Sequence, residues 1–286
     1  MTTAQARPSG EAAQRELEYT DADFRKIASI LFEDAGITLP EGKAPLVYSR
    51  LAKRLRTLRL STFSDYCDYL LSEDGALERR EMMTALTTNV THFFREPHHF
   101  EDLKTRVLPP LLANAKKGGR VRIWSAGCST GQEIYSIAMT LLGMEPDAAK
   151  YDIKLLATDI DPKVVQTGRN GVYPENVMAN VPNALREKFF EKSDGSWRIR
   201  ERVRSLVSFK EMNLTRTLPV KGPFDIIFCR NVVIYFEKSI EEGVWSRFNS
   251  VLAPGGYLFV GHSERVSGAA AATLIGSGVT TYKKQA

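Results

Sequence analysis

What the chain lacks narrows its possible roles before any motif is read. Its 286 residues contain no apolar run long enough to cross a bilayer. The opening stretch MTTAQARPSGEAAQRELEY has none of the apolar character of a signal peptide, so a cytoplasmic protein is expected. Cysteine is scarce. Cys67, Cys128 and Cys229 are odd in number and far apart, with no C-x-x-C pair, which disfavours disulfides and zinc and leaves reduced, partly buried thiols. Histidine is scarce too: His92, His98, His99 and His262 include no i,i+4 pair, and adjacent His98 and His99 cannot share one helix face. Structural or surface roles are expected for them, and no metal site. Both the G-x-G-x-x-G dinucleotide fingerprint and the G-x-x-x-x-G-K-[ST] phosphate loop are missing. That disfavours a nicotinamide oxidoreductase and favours a ligand without phosphates.

What is present is ordinary for a soluble globular protein: 43% hydrophobic and 26% charged residues, enough for a sizeable core. The net charge of +5 and pI near 9.0 admit nucleic acid, anionic lipid or an acidic protein as partner. Residues 1–17 are polar and aperiodic and read as a disordered tail. From Thr20, a candidate N-cap, DADFRKIASILFEDAG reads as a helix ended by Gly36, with further helices over about 43–60, 63–71 and 77–87. An all-α unit over 18–88 follows. The stretch TTNVTHFFREPHHF, residues 87–100, breaks the pattern, and 89–100 reads as a linker, with Pro97 limiting helix continuation before it. From 101 to 286 the texture is α/β: VRIWSA, IKLLATD, FDIIFCRN and GYLFVGHS are apolar runs interleaved with helical spacing. That predicts a mostly parallel sheet with helices on both faces. Residues 172 to about 207 do not fit a crossover; RIRERVRSLVSF suggests strand pairs and Asp194-Gly195 a hairpin turn, so a small antiparallel insertion is expected there.

A crevice is expected beyond the carboxyl ends of the strands. After VRIWSA, Gly127 and Gly131 bracket Cys-Ser-Thr, a loop of small residues that lets backbone approach a ligand before a helix starts near Gln132. Glu133, just inside that helix, either meets a cationic ligand group or simply stabilises the helix start. Asp159 ends the second strand, where an acid can accept from ribose hydroxyls, while Asp161 reads as the cap of the next helix with Pro162 at its first position. The fourth strand runs into Arg230, Asn231 and then Tyr235, an abrupt polar end that suits a crevice. With Pro254-Gly255-Gly256 turning the chain into the next strand, the order resembles class I S-adenosylmethionine methyltransferase domains.

More specifically, LTTNVTHFFRE, SAGCSTGQE, ATDID, FCRNVVIYF and GHSE together resemble the CheR family of chemotaxis receptor methyltransferases, over the chain from about residue 20 onward. The resemblance implies a Rossmann-like α/β domain with a small β insertion behind an all-α domain, S-adenosylmethionine as methyl donor and S-adenosylhomocysteine as product. It implies protein-glutamate O-methyltransferase activity on the cytoplasmic methylation helices of chemoreceptors. Carried over by position, Asn89, Thr91 and Arg95 contact the cofactor, Glu133 and Asp159 hold its amino-acid and ribose ends, Asn213 and Leu214 flank adenine, and Arg230 and Asn231 line the same crevice. Arg95 and Tyr235 come closest to the transferring methyl. Gln132-Glu133-Ile134 departs from the family's frequent Glu-Glu-Pro but keeps the acid. Some members grip a receptor pentapeptide with a glycine-rich loop in the β insertion; EKSDGSWRIRE has only Gly195.

The implied acceptor, a glutamate with pKa ~4.3, is already ionised at neutral pH, so no general base is required. That agrees with the apparent lack of a His–carboxylate pair around the crevice. Positioning would supply most of the acceleration. On the helix YSRLAKRLRTLRL, Val47, Leu51, Leu55 and Leu58 form an apolar stripe, with Arg50, Lys53, Arg54 and Arg56 beside and opposite it. No acid lies between residues 43 and 60, so this face reads as un-neutralised: a solvated surface or, as the resemblance implies, the dock for an acidic receptor helix. A nucleic-acid methyltransferase is the competing enzyme, disfavoured because Arg-Asn-Val-Val-Ile-Tyr stands where base-amine methylases carry a Pro-Pro motif. A non-catalytic receptor-binding adaptor is the other. The expected partner set is therefore chemoreceptor helices, with no nucleic acid, no membrane insertion, recruitment to receptor arrays, and a monomer.

Overall fold

The computed structural model describes residues 17–285. The tail read at 1–17 lies, apart from Leu17, outside them. Local signals set the first helices. Thr20 and Asp23 cap each other at the start of α1 (Asp21–Ala35), and Gly36, at φ 71°, stops it in the left-handed region that glycine adopts freely. A helix α2 (Ala44–Leu58) follows, then α3 (Phe63–Leu71), whose Thr62 hydroxyl accepts the Asp65 N–H, and α4 (Ala76–Leu86). Their apolar faces close on one another: Ile27, Leu31, Val47, Leu51, Leu55, Phe63, Tyr66, Leu70 and Met82 form a core of their own, separate from that around the sheet. The apolar stripe of α2 is thus accounted for by packing.

After a loop, α5 (Pro97–Asp102) begins with Pro97 at its first turn, where a missing N–H costs nothing. The expected linker 89–100 therefore ends in helix, and Pro97 starts that helix instead of limiting one. A π-helical stretch (Leu103–Val107) joins it to α6 (Leu108–Lys116). Then come β1 (Val121–Ala126), α7 (Gln132–Met144), β2 (Ile153–Asp159) and α8 (Pro162–Asn170), capped by Asp161. The inserted part holds β3 (Val172–Pro174), α9 (Asn183–Phe189), β4 (Phe190–Ser193), β5 (Ser196–Ile199) and α10 (Glu201–Arg204). The main sheet resumes with β6 (Val207–Glu211) and β7 (Phe224–Cys229), then α11 (Lys238–Val251), β8 (Leu252–Val260), β9 (Leu274–Gly278) and β10 (Thr281–Lys284).

Among the described residues the main sheet has seven strands in the order β6-β2-β1-β7-β8-β10-β9, parallel from β6 to β8 and antiparallel at β10 and β9. Alternation sorts its side chains to two faces. Ile123, Ile226, Phe228 and Phe259 enter one core, and Trp124, Ile227, Leu258 and Val260 the other. Burial on both faces is why these strands read as continuous apolar runs. The small sheet, β3-β5-β4, is antiparallel, and Asp194 and Gly195, both at positive φ, turn its β4–β5 hairpin. One boundary needs correcting. Residues 207–211 pair in parallel with β2 in the main sheet, and Glu201–Arg204 is helical, so RIRERVRSLVSF is not a strand pair and the insertion ends before β6. Among the described residues no helix is long and apolar enough to cross a membrane.

Candidate active site

Parallel strands present their carboxyl ends together, and β1, β2 and β7 bring the glycine loop, Asp159 and Arg230 to one edge. Gly127 has φ 84°, and a Cβ there would fall 2.2 Å from Val232 Cγ2, so only glycine lets the loop pass that side chain. The loop is pinned from β2: the N–H groups of Gly127 and Cys128 donate to Thr158 O at 2.8 and 2.9 Å, and Ser129 N–H donates to Asp159 Oδ2 at 2.8 Å. Asp159 Oδ1 accepts from Asp161 N–H at 3.1 Å. Burial nonetheless pushes the Asp159 carboxyl up to about 6, these N–H groups opposing the rise.

Glu133 sits in the first turn of α7, accepting from the Ser125 hydroxyl and from Arg230 Nε, each at 2.7 Å. The Arg230 guanidinium is buried. Its Nη1 donates to Arg95 O at 2.6 Å and to His99 Nδ1 at 3.2 Å, and it lies over the Phe100 and Phe228 rings. Because an arginine can only donate, His99 Nδ1 must accept, which leaves the ring proton on Nε2, facing Thr280 Oγ1 at 2.9 Å. Burial, followed by the Arg230 charge, pushes His99 down to about 3, so the ring stays neutral. Glu96 lies 3.6 Å from His99 Nδ1 and 3.7 Å from His262 Nδ1. Neither histidine lines the cavity, and His99 Nδ1, already accepting from Arg230, cannot share a proton with Glu96. Glu96, His98 and His99 also bring donor atoms within 4.8 Å of one another. The guanidinium already takes the His99 Nδ1 lone pair there, and a cation beside it would be repelled.

A cavity of about 730 Å³ opens between the sheet edge and the helical unit. It gathers Asn89, Thr91, Arg95, Glu133, Asp159, Asn213, Leu214, Arg230, Asn231 and Tyr235, together with Arg50 from α2. Several of these also carry the architecture. Asn89 Nδ2 donates to Asp161 Oδ2 at 3.0 Å while its carbonyl accepts from the Ser129 hydroxyl at 2.9 Å. Asn213 Nδ2 donates to Asp34 O at 2.9 Å. Tyr235 lies not on a strand but on a 3-10 turn (Val233–Tyr235), and its carbonyl accepts from Thr38 N–H at 2.9 Å, tying the loop after α1 to the site. Arg95 is partly exposed, held through Nη1 to Val90 O at 3.1 Å.

The basic face of α2 divides. Lys53, Arg54 and Arg56 do not line the cavity. Arg50 Nη1 donates to Leu86 O and Thr87 O at 2.8 and 2.9 Å, satisfying the carboxyl end of α4. Arg54 meets buried Glu78 at 2.9 Å and Glu81 at 3.2 Å. The expectation of an un-neutralised face is thereby corrected at Arg54 alone, whose acids come from α4. Lys53 and Arg56 remain exposed. Sequence reasoning missed Glu264, buried behind the Arg230–Tyr235 loop, although GHSE was visible as a motif.

The residues fit the donor that the fold implies. Two buried carboxylates, Glu133 and Asp159, face the cavity, and Asn231 Oδ1 is buried without a hydrogen-bond partner, an acceptor that an ammonium group would satisfy. Comparison with known proteins agrees. Residues 22–87 match the family model described as CheR methyltransferase, all-alpha domain, and residues 89–280 match CheR methyltransferase, SAM binding domain. A Rhizobium etli protein named "Probable chemotaxis protein methyltransferase" is 51% identical over 258 residues, covering 89% of this chain and 96% of that one. The Escherichia coli chemotaxis protein methyltransferase is 40% identical over 261 residues, covering 88% and 87%. Chemotaxis protein methyltransferase 2 of Pseudomonas aeruginosa is 41% identical over 269 residues, covering 90% and 91%.

Proposed function

The chain belongs to the CheR methyltransferase family, and on that premise we propose that it methylates glutamate side chains of chemotaxis receptors. The products are glutamate methyl esters and S-adenosylhomocysteine. That it is an S-adenosylmethionine-dependent methyltransferase of chemotaxis follows from the family itself.

S-adenosylmethionine supplies an electrophilic methyl on a sulfonium. The task of the protein is to hold that methyl in line with an anionic oxygen. Glu133 and Asp159 suit the amino-acid and ribose ends, Asn89, Thr91, Asn231 and the backbone of the glycine loop the remaining polar edges, and Asn213 and Leu214 the adenine. Ionised, Asp159 accepts from hydroxyls through both oxygens and more strongly than the neutral acid, and with its carboxyl near 6 it is ionised at neutral pH. Arg230 neutralises Glu133 on one side only, leaving Glu133 fixed but not buried as a bare charge.

In the same cavity, Arg95 and Tyr235 are the groups that would meet the acceptor. A guanidinium holds a carboxylate with fixed geometry and a phenol orients one oxygen. The acceptor carboxylate is ionised at neutral pH, so attack requires no base, and orientation can contribute on the order of 7–11 kcal/mol. The observation that carries the reading is this pairing within one cavity of two acids, suited to a cationic donor, with Arg95 and Tyr235, suited to an anionic acceptor.

In the same reading the helical unit recognises the receptor, with exposed Lys53 and Arg56 steering a glutamate-rich helix and Arg50 and Arg54 holding the unit together. The protein works as a cytoplasmic monomer brought to receptor arrays. The test is to incubate it with a receptor cytoplasmic fragment and donor, then map the modified residues by mass spectrometry. One methyl per modified glutamate is expected; modification of lysine, arginine or nucleic acid alone overturns the proposal.

A further inference from the structure

Glu264 is 2% exposed and ends the short turn that follows β8. Each of its carboxylate oxygens accepts two backbone N–H groups. Oε1 takes Val232 at 2.8 Å and Val233 at 3.0 Å, and Oε2 takes Asn231 at 2.8 Å and Gly261 at 2.6 Å. Among the described residues no cationic side chain lies within ion-pair distance of it. Its charge is met instead by these dipoles, an anion nest built from the chain's own backbone.

The loop it gathers has reason to need an anchor. Asn231 sits at φ 61°, a conformation costly for a residue with a Cβ, and Val232 is the side chain that closes against Gly127. Arg230 immediately precedes this loop and Tyr235 ends it. Without an acceptor, three consecutive N–H groups would be left beside a cavity with no partner.

We propose that Glu264 is a positioning residue for methyl transfer: by gathering the N–H groups of Asn231, Val232, Val233 and Gly261 it sets Asn231 and Tyr235 against the glycine loop. This rests on the methyltransferase reading above. Glu264 touches neither donor nor acceptor; it acts through the loop.

The test is Glu264→Gln. The amide keeps the volume and one carbonyl but turns an NH2 toward two of the four donors. Expected are a loss of about tenfold or more in kcat at saturating donor and receptor fragment, a several-fold weaker affinity for S-adenosylhomocysteine by calorimetry, and an unchanged KM for the receptor fragment. Because the loop carries Tyr235, the losses from Glu264→Gln and Tyr235→Phe are expected not to add in the double variant. Fully additive losses, or an unchanged kcat and S-adenosylhomocysteine affinity per folded molecule, overturn the proposal. Should Glu264→Gln fail to fold, Gly261→Ala serves instead, since its Cβ would press within 2.8 Å of Glu264 Oε2 and 2.9 Å of Asn231 N. The same pattern of loss is expected, and unchanged kinetics and binding in Gly261→Ala contradict the idea. If the wild type binds S-adenosylhomocysteine but methylates no receptor, the substrate reading fails while the binding arm still judges Glu264.

Discussion

The floor of the cavity and the surface around it are built differently. On the floor charges are buried and already partnered: Glu133 with Arg230 and Ser125, Asp159 with the N–H groups of Ser129 and Asp161. At the cavity's rim Val90, from the loop after α4, and Ile234, from the turn after β7, stand 76% and 49% exposed, and outside the cavity Lys53 and Arg56 of the helical unit project into solvent. In the proposed reading the first arrangement suits a small ligand, met by a preorganised site whose cost falls on folding, and the second a macromolecular partner, met by groups that stay free until it arrives. The four cations of α2 repeat the division in miniature, Arg50 and Arg54 turned inward and Lys53 and Arg56 outward.

That contrast can be broken or sharpened in graded steps. The largest effect is expected for Arg230→Ala, which strips Glu133 of its buried cation. A loss of about 3–5 kcal/mol in unfolding free energy and of about a hundredfold or more in S-adenosylhomocysteine affinity is expected, read by denaturant titration and calorimetry. Retention of both would show that the floor is not preorganised as described.

Arg54→Ala comes next. It leaves Glu78 buried with only the Tyr66 hydroxyl and lowers stability by about 2–3 kcal/mol, with S-adenosylhomocysteine affinity unchanged. A normal melting curve would place Arg54 with the outward pair instead.

Reversing the outward pair, Lys53→Glu with Arg56→Glu, is expected to leave melting and cofactor affinity alone. It should raise the receptor KM about tenfold, an effect that shrinks as salt is added. Equal loss of cofactor binding in this variant would dissolve the division within α2.

The smallest effect is a pH dependence. Hydroxyl donors favour the ionised Asp159, whose carboxyl lies near 6, over the neutral acid, so the apparent Kd for S-adenosylhomocysteine should rise by up to about twofold between pH 7 and pH 6 and by up to about tenfold by pH 5. For stability the sign is opposite. A raised carboxyl penalises the fold as pH climbs from about 4 to 6, and the penalty vanishes in acid. An affinity flat from pH 7 to pH 5 would mean that Asp159 does not hold the ribose.

Much of this was legible in the sequence because it is local. Thr20 and Gly36 bracket α1, Asp161-Pro162 starts α8, and the small residues between Ala126 and Gln132 mark the turn from β1 into α7. Apolar runs buried on both faces revealed β1, β2, β7 and β8. What escaped is what depends on partners far along the chain. Val207–Glu211 alternates polar and apolar residues because it is the sheet's edge, and so it read as part of an antiparallel pair. The acids that neutralise Arg54 lie on another helix, 24 residues away for Glu78. Nor does spacing disclose that Glu264 reaches back 33 residues to the Asn231 N–H.

The pairing of a cationic donor with a carboxylate acceptor is tested most directly by the chemistry of its product. Receptor-rich membranes, incubated with the protein and S-adenosylmethionine labelled in the methyl group, are to be treated with mild base. Release of the label as volatile methanol is the predicted result, because a glutamate methyl ester hydrolyses. Label that survives base, or never leaves the donor, would contradict it.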